Sequence, residues 1–331
     1  MSELRHNVIS GEWVVIATER AKRPEDFAKA EKDKSIRPEY SPTCPFCPHN
    51  EAQSPEETFR IGDEKKWDIR VIPNKFPALS PKEILARKDD GLLHAITGYG
   101  IHEVIIENPR HNAIIPLMTD EEVQNIIRAY KNRYVSIRDN EAIRAVILFK
   151  NHGPMAGTSL EHPHSQVVGT PIIPPQMENR IIRAARYSNE TGKCIFCETL
   201  EEELMKKERI ILETDRFVAF APYASMVPFQ TWIFPRKHAA SFSGISEDEM
   251  NDLAFCLKTV LGKIYYGLGN PDLNYAINSV RFEEKSAEAM HWYLSIMPRV
   301  TKAAGFEIGS GIFINTSLPE QAAEFLRQVK V

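Results

Sequence analysis

The sequence carries one arrangement of cysteines and histidines twice. Cys44 and Cys47 form a C-x-x-C pair, and Cys194 and Cys197 form a second one 150 positions later. Each pair is followed by a histidine at the end of a strand-like run, His111 and His238, and then by one on a later strand, His162 and His291. The two histidines lie 51 residues apart in the first half and 53 in the second. Two thiols on a tight turn with two imidazoles make a Cys₂His₂ donor set with no open position, so a structural zinc (Zn2+) is expected in each half. Such a site contributes on the order of 10 kcal/mol to the folded state, its thiols bound as thiolates. Cys256, the fifth cysteine, stands alone in a helical stretch. Disulfides and a redox C-x-x-C are the weaker readings. The start MSELRHNVISGEW lacks the basic-then-apolar pattern of a secretion signal, and the cytoplasm is the expected compartment. His6, His49 and His94 read as ordinary surface or core histidines, and His102 and His152 are the easiest to mistake for ligands.

The elements around these residues repeat in the same order. In the first half come a strand near Ile69–Ile72, the segment Pro73–Pro77, an alternating strand His102–Ile106 and a helix from about Thr119 to Ile137. A strand Arg144–Phe149, a polar loop Asn151–Ser159 and the run His162–Val168 follow. The second half offers Arg216–Phe220, Thr231–Phe234, a helix from about Ser246 to Tyr266, Leu273–Asn278 and His291–Ile296. Both helices open on a capping-box signature, Thr119 with Glu122 and Ser246 with Glu249. The reading is two copies of one α+β unit, residues 1–185 and 186–331, with the proline-bearing segment Pro171–Gln176 leading out of the first. Lys+Arg 41 against Asp+Glu 45 gives a net charge of −4, which is no footprint for binding nucleic acid. No apolar run reaches the roughly 18 residues of a membrane span.

His162 and His164 are separated by one residue, so on a strand both side chains point to the same face. A metal on His162 would therefore hold His164 beside it. A neutral imidazole carries a lone pair and can attack phosphorus without a separate base, provided its other nitrogen is hydrogen-bonded. Asn151, Gly153, Gly157, Thr158 and Ser159 offer amides and hydroxyls for phosphate oxygens, and Gln166 lies two residues further along the same face. By the same offset the second copy has Tyr293 where the first has His164. The ligand repeats and the nucleophile does not.

The segments GTSLEHPHSQ, RHNVISGEWVVIATERAKRP and CPFC resemble the galactose-1-phosphate uridylyltransferase family of the histidine-triad superfamily, over nearly the whole chain. The resemblance implies two tandem histidine-triad-like domains with largely antiparallel sheets and packed helices, and a homodimer. It also implies ping-pong transfer of UMP from UDP-glucose to galactose 1-phosphate through a nucleotidyl-histidine. Carried over, His164 is the nucleophile and His162 a zinc ligand whose carbonyl orients it. Ser159 and Gln166 bind the transferred phosphoryl group, and Asn151 the neighbouring phosphate. Arg20 and Arg23 face substrate phosphates, Asn74 and Phe76 hold the nucleoside, and Phe46 lies against the base or plugs the space beside the metal.

Some positions depart from the family pattern. Lys75 stands where an acidic residue follows the nucleoside-binding Asn, Ser310 and Gly311 occupy the place of a Tyr-Glu pair, and Ser165 replaces Gly or Cys. These features, with the second Cys₂His₂ set, resemble the plant ADP-glucose phosphorylase branch. The alternatives are therefore an ADP-glucose phosphorylase or adenylyltransferase with the same covalent step, or an inactive zinc-stabilised nucleotide-binding module. A small histidine-triad hydrolase fits the two-domain arrangement less well.

Overall fold

In the computed structural model, residues 2–17, 27, 37–63, 66–281 and 288–331 are described. Ten strands form one antiparallel sheet: β1 (Phe59–Gly62), β2 (Trp67–Pro73), β3 (Ile101–Ile106), β4 (Ala145–His152), β5 (His164–Thr170), β6 (Ile210–Glu213), β7 (Phe217–Phe220), β8 (Thr231–Pro235), β9 (Leu273–Asn278) and β10 (Tyr293–Pro298). Their spatial order is β1-β2-β3-β5-β4-β9-β10-β8-β7-β6. Read inward from either edge, each half lays down its five strands in the same sequence. The two halves join at the equivalent strands β4 and β9, paired antiparallel from Leu273 opposite His152 to Ile277 opposite Leu148. The repeat expected from the sequence is thus a pair of half-sheets fused along one seam.

One face of this sheet is covered by α1 (Asp120–Arg138) and, behind the second half, by a 22-residue helix, Glu247–Leu268. Both helices begin with the expected reciprocal capping box, which satisfies backbone donors that would otherwise be unpaired. Val123, Ile126, Ile127 and Tyr130 of α1 pack with Val71, Ile105, Leu148 and Val167 of the sheet, in the same core as Leu253, Leu257, Val260 and Ile264 of the longer helix. Each large apolar side chain so buried contributes about 1.5–3 kcal/mol.

The opposite face is covered differently in each half. In the second, α2 (Pro175–Thr191) and α3 (Ile195–Lys206) lie over the sheet, α3 placing Ile195, Phe196 and Leu200 on Val218, Phe220, Trp232, Phe234 and Tyr293. In the first, the CPFC turn packs Phe46 with Trp67, Ile72, Val104 and Ile106. Between these covers Ile147, Phe149, Val168 and Ala276 of the central strands are only half-buried. The boundary expected at 185/186 falls inside α2, which runs unbroken because no Gly or Pro interrupts it between its proline start and Gly192 at its left-handed C-cap. The longer helix, Glu247–Leu268, is labelled α4, and α5 (Gly305–Ser310) and α6 (Pro319–Gln328) complete the chain's helices described here. A small sheet of Glu3–His6, Trp13–Ile16 and Phe313–Asn315 ties the start of the chain to its end.

Candidate active site

Cys44, Cys47, His111 and His162 converge as the sequence predicts, with their ligand atoms all within 4.8 Å of one another and all four residues buried. The CPFC turn is closed by the Cys47 N–H on the Cys44 carbonyl at 3.2 Å. Nδ1 of both His111 and His162 faces the Cys47 sulfur, at 3.5 and 3.6 Å. His162 donates its other ring nitrogen to the Asn108 carbonyl at 2.7 Å, the outer-shell bond that fixes a ligating imidazole. This donor set and its spacing fit a tetrahedral ion.

Cys194, Cys197, His238 and His291 converge by the same geometry, again within 4.8 Å. His238 is bonded through Nε2 to the Glu288 carbonyl at 3.0 Å, whereas Nε2 of His291 is buried without a partner among the described residues. His238 is exposed, and a cavity of about 840 Å³ lies beside it, lined by Cys194, Cys197, Glu198, Glu201 and Glu288 among others. This second group could also hold a metal, in a wetter setting.

His164 opens β5 beside the first group and is 6% exposed. Its Nδ1 lies 2.8 Å from the His162 carbonyl, so the ring hydrogen sits on Nδ1 and the lone pair on Nε2. Burial lowers its pKa below the ordinary histidine value, the charge of Lys150 adds to this, and the bond to His162 opposes it. The ring is therefore neutral near pH 7, with a free lone pair on Nε2. Phe46 packs edge-on against it with ring centroids 5.5 Å apart. At the matching position of the second half, Tyr293 is buried under α3 against Phe196, Trp232 and Phe234.

Beneath His164 lies a group that the sequence did not single out. Glu107 is fully buried and paired with Lys150, and it accepts from the hydroxyls of Ser165 and Tyr130. Burial by itself would push its carboxyl up, but the Lys150 ammonium and these hydrogen bonds outweigh it and hold the pKa below the usual carboxylate range. The Glu107 N–H donates to the Pro163 carbonyl at 3.1 Å, and Lys150 reaches the His164 carbonyl at 3.3 Å.

The remaining expected residues lie in different settings. Gln166 shares its face and accepts from His102 Nε2 at 2.8 Å. Asn74 sits 3.2 Å from the same nitrogen and accepts the Phe76 N–H at 2.9 Å, while the Phe76 ring is 83% exposed. Asn151, next to last in β4, is bonded to Asn274 of β9 at 2.8 Å. Ser159 is exposed on the loop after Gly157. Arg20 and Arg23 lie outside the described residues. Among the described residues, neither His102 nor His152 joins a candidate metal group: His152 bonds to Asn270 at 2.9 Å, and His102 lies behind Gln166.

Comparison with known proteins places this geometry. The family description "Galactose-1-phosphate uridyl transferase, N-terminal domain" matches residues 1–174, and its C-terminal counterpart matches residues 181–330. An ADP-glucose phosphorylase of Arabidopsis thaliana is 36% identical over 334 residues, covering 99% of this chain and 93% of that protein. A galactose-1-phosphate uridylyltransferase of Thermotoga maritima is 27% identical over 341 residues, covering 100% and 99%. A crystal structure of an ADP-glucose phosphorylase from Arabidopsis thaliana with bound ADP-glucose superposes with a TM-score of 0.84 at 32% identity, covering 100% of both chains.

Proposed function

We propose, from the premise that the chain belongs to the galactose-1-phosphate uridyl transferase family, that it is a nucleotidyltransferase working through a nucleotidyl-histidine at His164. The observation that carries this is the 2.8 Å bond from His164 Nδ1 to the His162 carbonyl, which leaves the Nε2 lone pair as the only reactive edge of the ring. Nε2 attacks the phosphorus of a nucleotide sugar. A P–N bond forms, the P–O bond to the leaving group breaks, and sugar 1-phosphate departs with the electron pair. In the second half-reaction an acceptor phosphate oxygen attacks the same phosphorus and the P–N bond breaks. The proton on Nδ1 stays with the His162 carbonyl throughout, which stabilises the ring while it carries the phosphoryl group. Gln166, Ser159 and Asn151 supply donors to the phosphate oxygens. Arg20 and Arg23 would neutralise substrate charge, and Asn74 and Phe76 would receive the nucleoside.

Cys44, Cys47, His111 and His162 would hold one zinc, and Cys194, Cys197, His238 and His291 a second. The first ion, when bound, supplies a rigid anchor for the strand that carries His164. Thiols kept reduced for this purpose suit the cytoplasm, and no described helix is long and apolar enough to cross a membrane. The half-buried strip of Ile147, Phe149, Val168 and Ala276 suits the homodimer that the family implies.

The sugar and base follow two readings. The family reading is UMP transfer from UDP-glucose to galactose 1-phosphate. The second is ADP-glucose phosphorolysis, favoured by Lys75, by Ser310 and Gly311, and by the likeness to the Arabidopsis thaliana phosphorylase. Incubation with UDP-glucose or ADP-glucose, followed by mass measurement of the His164 peptide, decides between them. A gain of about 306 mass units marks a uridylyl adduct and about 329 an adenylyl adduct. Labelling by neither would overturn the enzymatic reading in favour of a binding module.

A further inference from the structure

Two side-chain amides, Gln166 and Asn151, flank the nucleophile, and each is held by a relay that begins at an unambiguous donor. The first relay starts at the Ala78 N–H, which donates to His102 Nδ1 at 3.1 Å. The ring hydrogen of His102 must therefore sit on Nε2, from which it is donated to Gln166 Oε1 at 2.8 Å. The amide oxygen of Gln166 is spent, and its N–H pair is turned away from His102. The Asn74 amide nitrogen, 3.2 Å from the same His102 nitrogen, is a neighbour rather than a competitor, because both atoms carry hydrogen.

The second relay starts at Arg299, whose Nε donates to Asn274 Oδ1. The Asn274 amide nitrogen must then face acceptors, and it does: the Ala156 carbonyl at 2.9 Å and Asn151 Oδ1 at 2.8 Å. The Asn151 oxygen is spent in turn, and its amide nitrogen lies beside Gly157 at the end of the loop. Asn274 and Arg299 both belong to the second half, the one without a nucleophile.

We infer that His102 and Asn274 are positioning residues that set the amides of Gln166 and Asn151 with their N–H groups toward the substrate, making a two-sided clamp for the non-bridging oxygens of a nucleoside diphosphate. This rests on the nucleotidyl-transfer reading and adds to it the reason these amides present donors rather than acceptors. It also gives the second half a part in the chemistry. A misoriented amide would aim its oxygen at an anion, which repels charge where the transition state gains it.

The test is a pair of double-mutant cycles on the metal-loaded full chain, read by single-turnover labelling of His164 with saturating ADP-glucose or UDP-glucose, whichever labels the wild type faster. His102→Phe and Gln166→Ala form one cycle, and Asn274→Ser with Asn151→Ala the other. Metal content and Tm are recorded for every variant, and the second cycle serves if His102→Phe fails to fold. The expected result is that His102→Phe and Asn274→Ser each slow labelling about tenfold in the wild-type background. The half-saturating probe concentration stays within about twofold, and neither substitution costs more than about twofold once its partner amide is gone. Equal losses in both backgrounds, or no loss in the wild type, would overturn the inference. If Gln166→Ala and Asn151→Ala themselves leave labelling unchanged, the assignment of these amides to the phosphates falls first, and labelling of His164 still stands as a separate result.

Discussion

Pro163, His164 and Ser165 are gripped from behind, since Glu107 and Lys150 bond to the backbone of the first two and the hydroxyl of the third. A side chain carried on backbone held this way starts from a fixed position. His164→Ala should therefore keep its metal and fold while nucleotide exchange falls by about 10⁵–10⁶-fold, the scale seen when a covalent nucleophile is removed. Metal analysis and exchange kinetics on the same sample check both halves of that statement. Lys150→Met leaves a buried carboxylate without its counter-charge and should cost about 3–5 kcal/mol by denaturant unfolding, whereas Glu107→Leu with Lys150→Met should cost distinctly less. The pH dependence has a definite sign. Glu107 is held below its ordinary pKa in the fold, so its stabilisation is complete above the unfolded value of about 4.3 and is lost as pH falls through the lower folded value. The double variant should show a shallower loss of stability below about pH 4.3 than the wild type. None of this network was legible in the sequence, because a lone Glu just past a strand and a lone Lys within one read as solvent-facing, and they lie 43 positions apart. The metal donors were legible because two C-x-x-C pairs, each followed by two histidines at nearly equal intervals, restrict chemistry by spacing and repetition.

Among the elements, the two long helices announced themselves through capping boxes and apolar spacing, and their starts fall one residue after Thr119 and Ser246. Ser246→Ala should cost about 1 kcal/mol, visible as a small drop in Tm without effect on labelling. Helix α2 was hidden. Prolines near its start read as an exit from the first unit, although Pro175 occupies the first helical turn, where a missing N–H costs nothing. The loop after β4 owes its shape to both halves. Asp272 of the second half accepts the Met155 N–H, and Gly153 sits against its carboxylate at φ +86°. A Cβ at that glycine would lie 2.0 Å from the Asp272 oxygen. Gly153→Ala should displace the loop and slow His164 labelling, with metal content unchanged, whereas Gly192→Ala, strained at φ +73° but with nothing within 4 Å of the added atom, should lower Tm slightly and leave labelling intact.

At the scale of the whole molecule the duplication was readable, and the seam between the copies was not. The pairing of β4 with β9 joins residues more than a hundred positions apart, and nothing in local periodicity encodes it. The two metal groups differ in shelter: all four residues of the first are buried, while His238 of the second is exposed. A chelator added slowly should remove the second ion first. Metal per chain should fall from two to one with His164 labelling largely retained, and labelling should then disappear with the last ion. Loss of labelling in step with the first ion released would contradict this order.

The antiparallel match of β4 with β9 has a consequence for ancestry. Equivalent edges that meet head to tail are what one edge makes when it binds its own copy about a two-fold axis. A forerunner of half this length would have closed that seam as a symmetric pair with two identical histidines at the place of His164. Joining the copies into one polypeptide broke the equivalence, so one partner could give up its histidine for Tyr293 and seal the place with aromatic packing, while Asn274 of the same half still bonds to Asn151 across the old two-fold.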